Sequence, residues 1–272
     1  MARDTPRKGR PRNFSGDASQ STIQSLDRAF DVLETLAAAK GMTLSEIARA
    51  LDQSPATVYR VLSTLEARGV VEAEAETQAW HVGATAFRLG SAFLRRSSVL
   101  ERSQPAMRGL METTGETSNL GIERNGDVLF VAQVETQESI RAFFPPGTIS
   151  PMHASGIGKA LLSRYDADQI TAFLKRRALE RFTDNTIVNS DALIEEMRRT
   201  RDRGYAFDDE EKATGMRCVA APIINAWGTA IAGISVSGPT HRMSSDQIER
   251  IGHLVRDAAA SVSQSIGAAA PA

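Results

Sequence analysis

Cysteine is almost missing from this 272-residue chain: Cys218 stands alone. A single thiol excludes an internal disulfide and fits a reducing cytoplasm. Histidine is scarce too, and His81, His153, His241 and His253 show no metal-ligand spacing. No metal or other cofactor is expected. Net charge is nearly absent, with 32 Lys and Arg against 33 Asp and Glu. That excludes a wholly basic coat for nucleic acid, so any DNA contact must come from local patches. Even the N-terminal eighty residues are not basic overall, because Glu72, Glu74 and Glu76 offset the arginines. No apolar run approaches the length of a membrane span, and no signal peptide is visible. A cytoplasmic protein without a membrane partner is the expectation. Apolar residues at 42% are enough for real cores, and the length allows two domains of ordinary size.

What is present begins at Met42–Val71. Leu44, Ile47, Ala48 and Leu51 form one stripe of helical period. Asp52 and Gln53 make a short polar turn. Ser54 then reads as an N-cap, with Pro55 at the first helical position. A second stripe runs through Val58, Val61, Leu62 and Leu65, and Gly69 closes it. The pattern predicts a helix-turn-helix. The outward face of its second helix carries Ser54, Thr57, Tyr59, Arg60 and Ser63, which can reach base edges or phosphates in a major groove. Thr43, ahead of the first helix, joins the DNA-facing candidates. The alternative is an ordinary helical hairpin with a polar surface. Agreement among cap, turn and polar face favours DNA.

The flanks complete the module. Ser25–Ala38 is predicted as an amphipathic helix with Leu26, Phe30, Leu33 and Leu36 inward. Val70–Ala73 and Ala79–Val82, joined by Glu74–Gln78, predict a hairpin wing with Trp80 packing it onto the helices. Residues 1–20 read as a disordered basic tail. Within it, Lys8-Gly9-Arg10-Pro11-Arg12 resembles an AT-hook core, whose arginines Arg10 and Arg12 would enter a narrow A·T minor groove. A merely sticky tail would add the same salt-dependent affinity.

The expected organisation is a winged helix-turn-helix over residues 21–83, a linker helix over 84–97, and a mixed α/β domain over 98–267. Residues 268–272 form a frayed end. In the larger domain, helices are predicted at Val99–Thr114, Gly156–Arg164, Ala167–Arg176, Ser190–Arg203 and Ser244–Ile266. Strands are predicted at Ser118–Glu123 and Val128–Val134, joined at the hairpin signal Asn125-Gly126. Ile140–Phe144 is a third strand, stopped by Pro145-Pro146-Gly147, and Val219–Ile224 with Ala230–Ser237 form a second pair.

Several groups in this domain could carry chemistry. Ser155-Gly156-Ile157-Gly158 precedes an apolar helix, whose free N–H groups would suit a small carboxylate. It is not a Walker A loop, since His153 replaces the first glycine and Ala160 the metal-binding hydroxyl. Ser235 and Ser237 stand two apart on a strand and so face one side. Asp208 and Cys218 flank a polar loop. Cys218 beside an aldehyde could form a hemithioacetal; small semi-buried packing is its plainer role. Cys218, His153 and Asp208 could also supply a nucleophile, base and orienter. No local signature arranges them, so no enzyme and no catalytic residue is expected. A purely architectural DNA binder is disfavoured by the long α/β half.

From about Thr22 to Ile266 the chain resembles the IclR family of transcription regulators. SLDRAFDVLETL and TLSEIARALDQSPATVYRVLSTLEARGVVE carry the likeness in the DNA module. PMHASGIGKALLS, GYAFDDEEKATGMRCVAAPI and GISVSGP carry it in the larger domain. The resemblance implies an α+β protein, with a winged helix-turn-helix joined to a GAF-like effector domain. It also implies a double-stranded DNA operator, a small-molecule effector, and self-assembly as a dimer or dimer of dimers. In the family, positions matching Gly156, Ile157, Asp208, Cys218, Ser235 and Ser237 line the pocket of members that sense 2-oxo acids such as glyoxylate or pyruvate. Ile157 departs from the alanine usual there and narrows the pocket. Members that sense aromatic acids use other linings.

Overall fold

The computed structural model describes residues 23–95 and 98–268. The expected basic tail, including Arg10 and Arg12, lies outside the described residues, as do residues 269–272. The chain falls into two compact units, one up to Phe93 and one from Leu94. The boundary lies within the expected linker. Among the described residues no helix is long and apolar enough to cross a membrane.

In the first unit, α1 (Gln24–Ala37), α2 (Leu44–Ala50) and α3 (Pro55–Glu66) pack around Val32, Ile47, Val58 and Leu62. α2 opens with a reciprocal capping box. The Thr43 hydroxyl accepts the Glu46 N–H, and the Glu46 carboxylate takes the Thr43 N–H. Gly69, at a left-handed φ of 65°, turns the chain from α3 into the wing. There β2 (Val71–Ala73) and β1 (Met42–Thr43) both pair with β3 (Ala79–Val82). Trp80 is buried in this core. α4 (Ala84–Arg95) follows the wing.

One expectation fails here. Leu26 and Phe30 do not face the core; they are 54% and 62% exposed. The buried stripe of α1 is Val32 and Leu36. At 100° per residue, Leu26 and Phe30 lie about a third of a turn away from it.

The second unit is a six-stranded antiparallel sheet between helices. Its elements are α5 (Ser98–Thr114), β4 (Thr117–Arg124), β5 (Asp127–Val134), β6 (Ile149–Pro151), α6 (Gly156–Leu162), α7 (Ala167–Arg176), α8 (Ser190–Arg203), β7 (Ala206–Asp209), β8 (Met216–Ile224), β9 (Ala230–Pro239) and α9 (Ser245–Ser265). The strand order is β6-β5-β4-β9-β8-β7. β4 and β5 meet at Asn125-Gly126, both with positive φ, as the hairpin signal requires.

Strand alternation sorts the residues onto two faces. Leu120, Val219, Ala221, Ile234 and Val236 pack with Met107 of α5 and Ile251 and Val255 of α9. The opposite face lies under α6, with Val128, Phe130, Ala206 and Ala220 against Met152, Ile157, Ala160 and Leu161. α8 adds Leu193 and Met197 behind it.

The expected third strand at Ile140–Phe144 is absent. That segment is irregular, and the strand beside β5 is β6 instead. Within residues 140–144 Ala142 is buried, while Ile140, Arg141 and Phe143 are exposed. Phe144 stacks on Phe130 with ring centroids 4.9 Å apart. Side-chain anchoring explains the pattern without any ladder, since β6 already takes the edge of β5.

Candidate functional site

The chemistry-bearing residues converge on the sheet face beneath α6. β-pairing sets Asp208 opposite Cys218, Cys218 opposite Ser237, and Ser237 opposite Thr117. These four form one row across β7, β8, β9 and β4. The next row on the same face is Ala206, Ala220, Ser235, Asn119 and Gln133. Directly opposed side chains stand roughly 5 Å apart. Ser235, Ser237, Thr117 and Asn119 are all buried.

α6 covers the two rows through glycine. A Cβ on Gly156 would come within 2.7 Å of Cys218 Sγ, so only glycine lets the helix start lie on the thiol. Gly158 is tighter still, because a Cβ there would fall 2.2 Å from the Met152 carbonyl oxygen. Ile157 is fully buried, with its side chain against Gly121 and Gly233. Ser155 caps the helix by accepting the Gly158 N–H. α6 spans only seven residues, so the hydroxyl rows below it carry more of the polar capacity than its dipole.

The polar groups are unevenly satisfied. Asn119 Nδ2 donates to Ser237 Oγ at 3.3 Å, and Gln133 Nε2 donates to Asn119 Oδ1 at 3.0 Å. Thr117 Oγ1 has no hydrogen-bond partner among the described residues, and Ser235 Oγ has none but the Cys218 thiol beside it. Buried orphan hydroxyls cost free energy unless something pairs with them.

At the β7 end lies a buried charge cluster. Lys159 is fully buried and donates to the Glu211 carboxylate and the Phe207 carbonyl, with Glu196 at 3.8 Å. Glu196 also pairs with Arg203 at 2.6 Å. Asp208 accepts the Glu211 N–H at 2.8 Å. Burial pushes the Asp208 carboxyl up to about 6, partly offset by Lys159. Burial likewise raises Glu211 to about 7. The Cys218 thiol is pushed up to about 12, first by burial and then by Asp208. Among the described residues no group of three His, Cys, Asp or Glu could hold a metal ion.

Five of the six expected effector residues therefore present their own chemistry to one surface: Gly156, Asp208, Cys218, Ser235 and Ser237. Ile157 contributes its backbone, since its side chain turns to the core. His153 is held apart, with Nε2 at 2.9 Å from the Glu180 carbonyl oxygen. The sequence reading missed Thr117, Asn119, Lys159 and Glu211. A lysine inside the apolar run GIGKALL was the one available signal. Two cavities, of about 470 and 290 Å³, open elsewhere and are lined by none of the six.

In the first unit, the two helix-turn-helix caps consume some of the expected DNA groups. Ser54 Oγ accepts the Thr57 N–H at 3.2 Å and shares a 2.9 Å hydrogen bond with Thr57 Oγ1. Thr43 is held in its capping box. Tyr59, 55% exposed, and exposed Arg60 project from the same helix.

The family model "IclR helix-turn-helix domain" matches residues 25–75, and "Bacterial transcriptional regulator IclR C-terminal" matches 91–264. The HTH-type transcriptional regulator BhcR of Paracoccus denitrificans is 54% identical over 260 residues, covering 94% of this chain and 93% of that protein. The transcriptional repressor IclR of Escherichia coli is 36% identical over 264 residues, covering 96% of each. The crystal structure of the Thermotoga maritima IclR superposes with a TM-score of 0.77 at 28% identity, covering 90% of this chain and 99% of that one. The chain belongs to the IclR family of ligand-responsive transcriptional regulators, with a DNA-binding helix-turn-helix ahead of a small-molecule-binding α/β domain.

Proposed function

We propose that this regulator senses a small 2-oxo acid, glyoxylate first and pyruvate second, on the sheet face beneath α6. The observation that carries the reading is the row Asp208–Cys218–Ser237 beneath Gly156, with the buried Ser235 hydroxyl beside it, which has no partner but the thiol. Asp208 and Ser237 stand two strands apart, about 9–10 Å between backbones. Gly156 lies on Cys218 between them, so a molecule of a few heavy atoms enters as the start of α6 lifts from β8. The serine end supplies hydroxyl donors for a carboxylate. The Asp208 end is an acceptor that repels a carboxylate and welcomes a hydroxyl. The gem-diol that an aldehyde acid forms in water has that polarity, which ranks glyoxylate above the less hydrated pyruvate. An aromatic acid would have to part α6 from β8 much further than an acid of a few heavy atoms, because Gly156 already touches Cys218.

The protein acts as a regulator and not as an enzyme. A thiol held near 12 is protonated at neutral pH and is a poor nucleophile. Tyr59 and Arg60 meet the operator, while Thr43, Ser54 and Thr57 set the helices that present them. The protein works as a dimer or dimer of dimers in the cytoplasm. Leu26 and Phe30 of α1 and Phe87 of α4, the last 77% exposed, are apolar groups a second copy would cover. Glyoxylate changes operator affinity through its differential affinity for two conformations, typically about 1–3 kcal/mol of coupling. Calorimetry with glyoxylate, pyruvate and benzoate tests the chemistry. Saturable glyoxylate binding that exceeds pyruvate supports it; binding of benzoate alone defeats it.

A further inference from the structure

The buried amide pair behind the serines has a direction. Gln133 Nε2 donates to Asn119 Oδ1, and Asn119 Nδ2 donates to Ser237 Oγ. Asn119 is fully buried on β4, directly opposite Ser235. Gln133 is part-buried on β5, directly opposite Asn119. An amide can present either its carbonyl or its NH2 to a neighbour, and its partner decides which. With its carbonyl claimed by Gln133, Asn119 has only its NH2 to offer Ser237. The Ser237 oxygen is thereby used as an acceptor, and its own proton is left for the Cys218 thiol beside it or for an anion that takes the thiol's place. Cys218 and the proposed effector position lie on its other side.

We infer that Asn119, held by Gln133, is a positioning residue that fixes Ser237 as a hydrogen-bond donor and so reserves that end of the site for a carboxylate. The inference rests on the effector reading above. It adds a specificity element outside the residues that touch the ligand. The chain Gln133 to Asn119 to Ser237 delivers one oriented donor to the anion. Asp208, an acceptor at the opposite end, fixes the other half of the ligand's polarity. Together they select one orientation of an acid that carries a hydroxyl or hydrate on the neighbouring carbon. A buried donor to a charged group is worth more than a neutral pair. Ser118, which also lacks a partner, faces the other side of the sheet and takes no part.

The test reverses the chain from its far end. Gln133→Glu offers only acceptors, so Asn119 must turn its NH2 toward position 133 and its carbonyl toward Ser237. The serine proton is then drawn away from the site. Glyoxylate affinity by calorimetry should fall about tenfold or more, the scale of one hydrogen bond to a charged group. Gln133→Met, which leaves the amide free to choose, should cost only a few-fold. Melting temperature and ligand-free operator affinity should stay unchanged in both. The added charge is controlled in a Ser237→Ala background, where Gln133→Glu should cost almost nothing further. An undiminished affinity in Gln133→Glu overturns the inference, and so does an equal loss with and without Ser237. If wild-type protein does not bind glyoxylate, the effector reading fails by itself. The relay is then judged in ligand-free protein from the Asn119 side-chain NH2 resonances. They shift in both Ser237→Ala and Gln133→Glu if the chain exists, and their staying put in either variant overturns it.

Discussion

Replacing Gly156 with alanine probes whether the helix start and the thiol are in contact. The new Cβ would lie 2.7 Å from Cys218 Sγ, 3.3 Å from Cys218 Cβ and 3.4 Å from Ala220 Cβ. The first contact is about 1 Å too close, and Ile157, fully buried beside it, blocks retreat. Overpacking of this kind costs about 1–3 kcal/mol. With no obstacle, Gly→Ala in a helix would stabilise by up to about 1 kcal/mol. Urea unfolding followed by circular dichroism should therefore show Gly156→Ala less stable than wild type. Cys218→Ala deletes the colliding sulfur and leaves only the tolerable contacts. In a double-mutant cycle the pair should show a favourable coupling of about 1–3 kcal/mol. Additivity within about 0.5 kcal/mol would refute the contact. Gly158→Ala is the contrast. Its clash is with the Met152 backbone carbonyl at 2.2 Å, so no side-chain change should rescue it.

Three further outcomes are expected. Arg60→Ala should weaken operator binding by about 1–3 kcal/mol in a gel-shift titration if the guanidinium reads a base. Lys159→Met should destabilise the second unit by about 3–5 kcal/mol in urea unfolding, because it strands the buried Glu211 carboxylate while Glu196 keeps Arg203; adding Glu211→Gln should recover much of the loss. Asp208 near 6 and Glu211 near 7 are raised above their unfolded values. Their stabilising contribution is present at low pH and is lost as pH rises through those values. Thermal stability should accordingly rise as pH drops from 8 toward 5, and Asp208→Asn with Glu211→Gln should flatten the trend.

Much of the fold was legible because caps and breakers are local. α7 and α8 form over the predicted residues. Asp166 and Gln169 make a capping box at the head of α7. Asn189 caps α8, and Gly204 ends it at a left-handed φ of 82°. β1 and β7 escaped notice because two and four residues carry too little period to read. Ile140–Phe144 is an apolar run stopped by Pro145-Pro146-Gly147, as a strand would be, yet stacking of Phe144 on Phe130 holds it without a ladder. The site divides in the same way. Ser235 and Ser237 share a face by simple period two. The partnership of Asn119 with Ser237 spans 118 residues and depends on register between β4 and β9, which no local pattern encodes. Lys159 looked like part of a helix start. Its burial becomes visible only when α8 and the end of β7 bring Glu196 and Glu211 to it.

The most direct test of the central claim joins the two units in one measurement. Full-length protein is titrated onto fluorescent DNA from the region beside its own gene, with and without saturating glyoxylate. Wild type and the Ser235→Ala, Ser237→Ala double variant are compared. The account predicts that glyoxylate changes wild-type operator affinity by about 5–150-fold, the range of typical allosteric coupling. It also predicts that the double variant binds the same DNA equally well without ligand and no longer responds. A wild-type protein indifferent to glyoxylate, or a double variant that responds as wild type does, would contradict it.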